Sequence, residues 1–267
     1  MLNNITIGTY LPYNSIIHKI NPLAKIISLI LLLVGVFLIK DLKLYLVAIV
    51  LVFILVKVAK LSILRLMKSL KILMFMFIFL FIINLFIIKR GDLLYNFFGL
   101  EIYSGALYQT LLIFFRLMLM VFLSSILTMT TKPLDLTLGI EQSLTPLKKI
   151  GFPAHAVAMM ISIALRFIPI LVDETNKIMI AQTSRGVDFQ ASKIKEKIQA
   201  VISLLIPLFV SAFKRAEDLA NAMEARGYNP NATRTRYVVF RWQLKDTLTI
   251  IVSVLFLGGI ICYSIIS

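Results

Sequence analysis

The sequence predicts an all-α polytopic membrane protein with about five transmembrane helices plus long cytoplasmic helices. Three observations predict it. Hydrophobic residues fill 60% of the 267 positions, only 15% are charged, and the mean hydropathy is +0.93. A soluble domain is about half apolar and about a quarter charged, so this chain needs lipid as part of its solvent. The third observation is the placement of the charge. Lys and Arg total 28 against 13 Asp and Glu, a net charge of +15, and the basic residues gather between the apolar runs. Such an excess can serve nucleic-acid binding. Clustering beside apolar runs fits cytoplasmic loops against anionic lipid better, and no nucleic-acid partner is expected.

Met1–Asn21 lacks the basic start and apolar stretch of a cleavable signal. Five runs then follow that approach the roughly 20 residues needed to cross a ~30 Å core. They are Leu23–Ile39, Leu42–Val58, Ile72–Ile88, Leu107–Met129 and Thr247–Ile266. None alternates polar and apolar as a barrel strand would, so each is a helix. Lys57, Lys60, Arg65, Lys68 and Lys71, with no acid among them, place the second loop in the cytoplasm. The third loop mixes Lys89 and Arg90 with Asp92 and Glu101 and belongs outside. Alternation puts the N-terminus inside and the C-terminus outside; Lys40 and Lys43 in an outer first loop sit awkwardly with the rule. The chain thus divides into residues 1–129 with four spans, residues 130–246 on the cytoplasmic side, and residues 247–267 with the last span. Cys262 is a lone thiol in an apolar run, a structural residue without a disulfide partner.

The long internal segment carries the information. Leu134, Leu138, Leu144 and Leu147 mark an amphipathic stretch stopped by Gly151 and Pro153. Two long elements follow, 154–185 and about 194–226. Arg166 and Pro169 interrupt the first; Pro207, Lys214 and Arg215 interrupt the second. Helices lying along the membrane surface and dipping in at one end suit them better than clean spans.

The two elements repeat one design. Ile168-Pro169 leads to Ser184-Arg185-Gly186, and Ile206-Pro207 leads to Ala225-Arg226-Gly227. Pro to Gly is 17 positions in one and 20 in the other, a difference near one helical turn. Each proline frees a carbonyl and is expected to kink its helix. Each glycine suits the left-handed residue that closes a helix, which puts each arginine in the last turn, favoured by the macrodipole. A single small-Arg-Gly end is an ordinary cap. Two of them, at matched distance from an Ile-Pro step, suggest two similar partner pockets, for which the guanidinium fork is suited. Ala212, Ala216 and Ala220 add a small-residue stripe that permits close helix approach. Asp173, Glu174, Glu217 and Asp218 read as a solvated face. Met159, Met160, Met179, Ile198, Ile202, Leu205 and Phe209 form an apolar surface expected to bind another membrane protein. Flexible Met suits contacts that release and re-form.

Taken together, Thr145-Pro-Leu-Lys-Lys-Ile-Gly-Phe-Pro153, Ala164-Leu-Arg-Phe-Ile-Pro169 and the two Arg-Gly ends resemble the T component of energy-coupling factor transporters, a family shared with the cobalt-transport permease subunit. His18-Lys19-Ile20-Asn21-Pro22 with Lys25 is similar to its opening motif, and Arg241-Trp242 to the residues before its last span. The likeness runs over nearly the whole chain; it departs at Ser184, where the family often has alanine. The resemblance implies a non-catalytic coupling subunit without a cofactor. Its two coupling helices would cross and set their arginine ends, Ser184-Arg185-Gly186 and Ala225-Arg226-Gly227, into grooves on two ATP-binding cassette ATPase subunits. Another surface of these helices would hold a membrane S component that binds a vitamin or metal ion.

The sequence has no Gly-rich loop ending in Gly-Lys-Ser/Thr, and His18, His155 and Cys262 make no metal cluster. Arg116 is a mid-span charge and so a functional candidate. The competing reading is a self-sufficient secondary transporter or channel. It requires polar groups at mid-membrane, and the spans offer little beyond Asn84, Gln109 and Arg116.

Overall fold

The computed structural model describes residues 10–88, 92–97, 100–144, 153–191, 193–229 and 240–266. Lys89, Arg90, Leu147 and the Thr145–Phe152 part of the family-like motif lie outside these residues. The elements, in order, are a 3-10 turn at Ile17–Lys19, α1 (Pro22–Leu38), α2 (Leu42–Ala59), α3 (Ile63–Ile87), β1 (Leu93–Phe97), β2 (Leu100–Tyr103), α4 (Ser104–Thr130), α5 (Pro133–Leu144), α6 (Ala154–Ser184), α7 (Ile194–Ala225) and α8 (Leu244–Ile266). The architecture is all-α and polytopic. Among the described residues its departure from helix is a two-stranded antiparallel sheet, β1 on β2, in the expected outer loop.

Two compact units result, one of α1–α5, the sheet and α8, the other of α6 and α7. In the first, α1 packs on α8 and α4, while α2 and α3 pack on α4. Tyr45, Ala48, Val52, Val56 and Ala59 recur at three- and four-residue steps, so they line one buried face of α2. Leu119, Leu123 and Ile126 of α4 join the same core. Lipid tails are as apolar as these side chains, so close packing rather than burial from water holds such helices together. Gly35 illustrates it: a Cβ there would come within 2.9 Å of the Phe256 ring of α8.

Among the described residues five helices are long and apolar enough to cross a membrane: α2, α4, α8 and, where helices along the membrane surface were expected, α6 and α7. Helix α3 adds a sixth if its two arms, Ile63–Lys71 and Met74–Asn84, count as one span, and the 17-residue α1 falls just short of that length. At about 26 Å, α1 is near the lower limit for a bilayer. Arg65, Lys68 and Lys71, expected in a loop, lie on α3. Lysine and arginine are good helix formers, so the helix continues past the point where hydropathy ends.

The polar residues of the opening motif form a clasp in the first unit. The Asn21 side chain accepts from the Leu23 N–H at 3.0 Å and caps α1, with Pro22 at the first helical position. The buried Lys25 ammonium donates to the Thr130 carbonyl and Thr131 Oγ1, each at 3.0 Å, and so satisfies the end of α4. His18 Nε2 donates to the Leu11 carbonyl at 3.0 Å, which leaves Nδ1 to accept from the Ser15 hydroxyl at 2.6 Å. Burial lowers the His18 pKa below its ordinary value; the Leu11 hydrogen bond opposes this and the Lys25 charge adds to it. The Asn21 N–H donates to Asp246 Oδ1 at 2.8 Å, joining this clasp to the start of α8.

Arg116 is held by contacts within the first unit. It donates to the Ile39 carbonyl at 2.8 Å, closing the end of α1, and to the Tyr45 hydroxyl at 3.1 Å. Its guanidinium also lies 5.3 Å from the Phe37 ring centre. Asn84 donates to Thr110 at 3.1 Å. Two of the three mid-span polar groups that an independent transport pathway would need are therefore spent on packing.

Candidate functional site

The second unit carries the repeated design. Helices α6 and α7 run unbroken through Pro169 and Pro207. Each proline lacks the N–H that would bond four residues back, so the Leu165 and Ser203 carbonyls lose their helical partners.

Both helices end in the same way. Gly186 N–H donates to the Thr183 carbonyl at 3.0 Å, and Val187 N–H to Gln182 at 3.1 Å. At the other end Gly227 N–H donates to Glu224 at 2.8 Å, and Tyr228 N–H to Met223 at 3.0 Å. This paired pattern is the Schellman closure, and it needs a left-handed residue. Gly186 has φ +89° and Gly227 φ +69°. Each arginine therefore sits one place past the last helical residue, at the C-cap rather than within the last turn. Arg185 and Arg226 are both exposed. Among the described residues neither has an ion-pair partner. Ser184 and Ala225 are exposed beside them.

The helices run antiparallel. Arg215 of α7 donates to Glu174 of α6 at 2.8 Å. The Tyr228 hydroxyl, just past α7, donates to the Met159 sulfur near the start of α6 at 3.2 Å. Glu174 lies 15 positions after Met159 and Arg215 lies 13 before Tyr228. The two contacts are thus about 20 Å apart on either helix. The Arg226 end therefore lies beside the start of α6, and Arg185 lies at the far end, roughly 40 Å away along the pair. Glu174, read from sequence as part of a solvated face, is one half of the clamp.

The expected apolar surface divides. Met160, Ile198, Ile202, Leu205 and Phe209 are exposed. Met159 and Met179 are partly buried, and Met159 is occupied by Tyr228. Phe213, 73% exposed, extends the stripe by one turn. Its spacing of four from Phe209 was available in the sequence, but the basic Lys214 and Arg215 beside it concealed the continuation.

The cobalt transport protein family model, CbiQ, matches residues 13–237, most of the chain. The energy-coupling factor transporter transmembrane protein of Macrococcus caseolyticus is 43% identical over 251 residues, 94% of this chain and 95% of its own length. This chain belongs to that family. The family's Bacillus subtilis member is 40% identical over 263 residues, covering 98% of this chain and 99% of its own. The Staphylococcus aureus member is 40% identical over 266 residues, 99% of both chains. As an energy-coupling transmembrane component, the chain is a multi-pass membrane protein of a transporter. Some of the motifs that carried the resemblance have visible structural work. The opening motif is tied through Asn21 to Asp246 at the start of α8, Trp242 donates to Thr247 of the same helix, and the two Arg-Gly ends are twin helix closures.

Proposed function

We propose that this chain is the non-catalytic coupling subunit of an ATP-driven importer of the bacterial cell membrane. Arg185 and Arg226 dock it to two ATP-binding cassette ATPases. The carrying observation is the pair of like-built arginine ends at opposite ends of an antiparallel helix pair. Two separate pockets on a dimer of ATPases require two similar plugs held apart, and that is what the Schellman closures and the Arg215–Glu174 clamp provide. ATP binding and hydrolysis on the partners would move α6 and α7, and the prolines supply points where the helices yield. Pro169 and Pro207 thus serve as kink points, and Ser184, Gly186, Ala225 and Gly227 shape the two ends around the arginines.

The exposed stripe Ile198, Ile202, Leu205, Phe209 on α7, with Met160 on α6, receives a membrane S component that binds a vitamin or metal ion. Contiguous exposed apolar surface of this kind marks an interaction site. The topology is N-terminus inside and C-terminus outside, which a cytoplasmic signal from a reporter fused after residue 267 contradicts.

Affinity purification from its native membrane tests the function. Two ATPase polypeptides should come down with the chain. A photo-crosslinking residue at Ile202 or Phe209 should capture a small membrane protein in the same preparation. A chain that transports substrate when purified alone would instead be a self-sufficient transporter.

A further inference from the structure

The first unit holds an apolar slot of about 290 Å³ between α1, α2, α4 and α8. One end of it lies where α1 and α8 begin and α2 and α4 finish. Ile17 and Ile20 stand at that end, beside Val58, Thr130 and Leu248. From there the slot reaches Leu32, Leu51 and Ser253, a depth of about 10 Å, from the seven positions between Lys25 and Leu32. Two features set it apart from an ordinary packing gap. Ser28 lines it and is 4% exposed, yet its hydroxyl has no hydrogen-bond partner among the described residues. A buried hydroxyl without a partner is costly. The mouth is also basic. Lys19 lies between Ile17 and Ile20, Lys57 precedes Val58, and Lys245 is one turn before Leu248; all three are exposed. Two acids act on the slot-lining Lys25: the partly exposed Asp135 of α5, and Asp246, which is buried and already accepts from Asn21 and Gln243. The Lys25 ammonium is likewise engaged, whereas Lys19, Lys57 and Lys245 have no ion-pair partner among the described residues; the Lys57 ammonium lies 5.0 Å from the Phe53 ring centre.

We propose that this slot binds one acyl chain of an anionic phospholipid. The chain lies along the apolar lining, the Ser28 hydroxyl donates to the ester carbonyl where the chain enters, and the phosphate faces Lys19, Lys57 and Lys245. The occupant follows from the surroundings: these helices stand in lipid, the lining is almost wholly apolar, and basic pockets between membrane helices select anionic head groups. The bound lipid fills the space and satisfies the Ser28 hydroxyl, which has no partner among the described residues.

The test uses the assembled transporter in nanodiscs. Phosphatidylglycerol and phosphatidylcholine carrying the same photoactivatable acyl chain are compared by peptide mapping. Phosphatidylglycerol should label slot residues such as Leu32 and Leu51 about ten-fold more than phosphatidylcholine, since each rim lysine contributes to selection. Lys19→Glu with Lys245→Glu, both on exposed residues, should bring the two lipids close to parity. Ser28→Leu should reduce slot labelling by both lipids while exposed Phe75 labels as before. Equal labelling by the two lipids in the unaltered protein overturns the proposal. So does a preference that survives the charge reversals, or a slot whose crosslinks go to a partner polypeptide. Should Ser28→Leu fail to fold, the charge-reversal comparison still decides.

Discussion

The double variant Arg185→Ala, Arg226→Ala is expected to lose both ATPase subunits in a pull-down and to abolish substrate uptake, with the membrane subunit's own melting temperature unchanged. Each arginine is exposed and free of ion-pair partners among the described residues, so the fold does not depend on it. In a complex each would be desolvated in a groove. Truncating one partner of such a buried charged pair costs about 2–5 kcal/mol, which is at least roughly 30-fold in affinity per contact. Since the two ends lie about 40 Å apart along the helix pair, they would meet different partners under the proposed function, and each single variant should weaken one ATPase contact. Lysine at either position should rescue only in part, because a point charge does not reproduce the bidentate fork. Gly186→Ala and Gly227→Ala separate aim from charge. A Cβ at either glycine meets nothing within 4 Å, so the effect is confined to the left-handed backbone, about 1–2 kcal/mol. These variants should loosen docking less than loss of the arginine does. If the double arginine variant keeps both ATPases and normal uptake, the two ends are plain helix caps and the proposed function fails.

Hydropathy located three of the expected spans closely, but α6 and α7, expected along the membrane surface, are also long and apolar enough to cross a membrane. The expected 42–58, 107–129 and 247–266 runs are the observed Leu42–Ala59, Ser104–Thr130 and Leu244–Ile266 within three residues. Helix α3 begins nine residues before its expected start because charge is excluded by lipid, not by helical backbone. The sheet escaped notice because strands of five and four residues leave too short a pattern to separate from a loop. The Arg-Gly ends were legible, since a cap is encoded by neighbours in the chain. The pairing of Glu174 with Arg215 was not: 41 positions separate them, and many basic residues could have served. The same holds for Asp246 and Asn21, 225 positions apart. Local chemistry can be read in one sequence, whereas the partners of a buried polar group are fixed only by the packing of distant helices.

Asp246 should for that reason be among the least replaceable residues. Its side chain is 1% exposed. Oδ1 accepts from the Asn21 N–H at 2.8 Å and Oδ2 from the Gln243 N–H at 2.7 Å. The second bond reaches back from the first turn of α8 to the residue before it, the return half of a capping box, where negative charge is also favoured by the helix dipole. The first ties α8 to the turn that starts α1. Asp246→Ala strands the buried Asn21 N–H, at about 1–3 kcal/mol, and removes the cap on the exposed Gln243 N–H, at about 1 kcal/mol. A total of roughly 2–4 kcal/mol is a large share of the 5–15 kcal/mol that holds a typical domain folded. The expected result is a sharp fall in yield and in melting temperature of the detergent-purified protein. Asp246→Asn is the more telling variant. It keeps the size but turns one of the two acceptors into a donor facing another donor, so it should lose nearly as much stability as alanine. A melting temperature equal to that of the unaltered protein would mean that packing along Gly35 and Phe256, rather than this carboxylate, fixes α8 against α1.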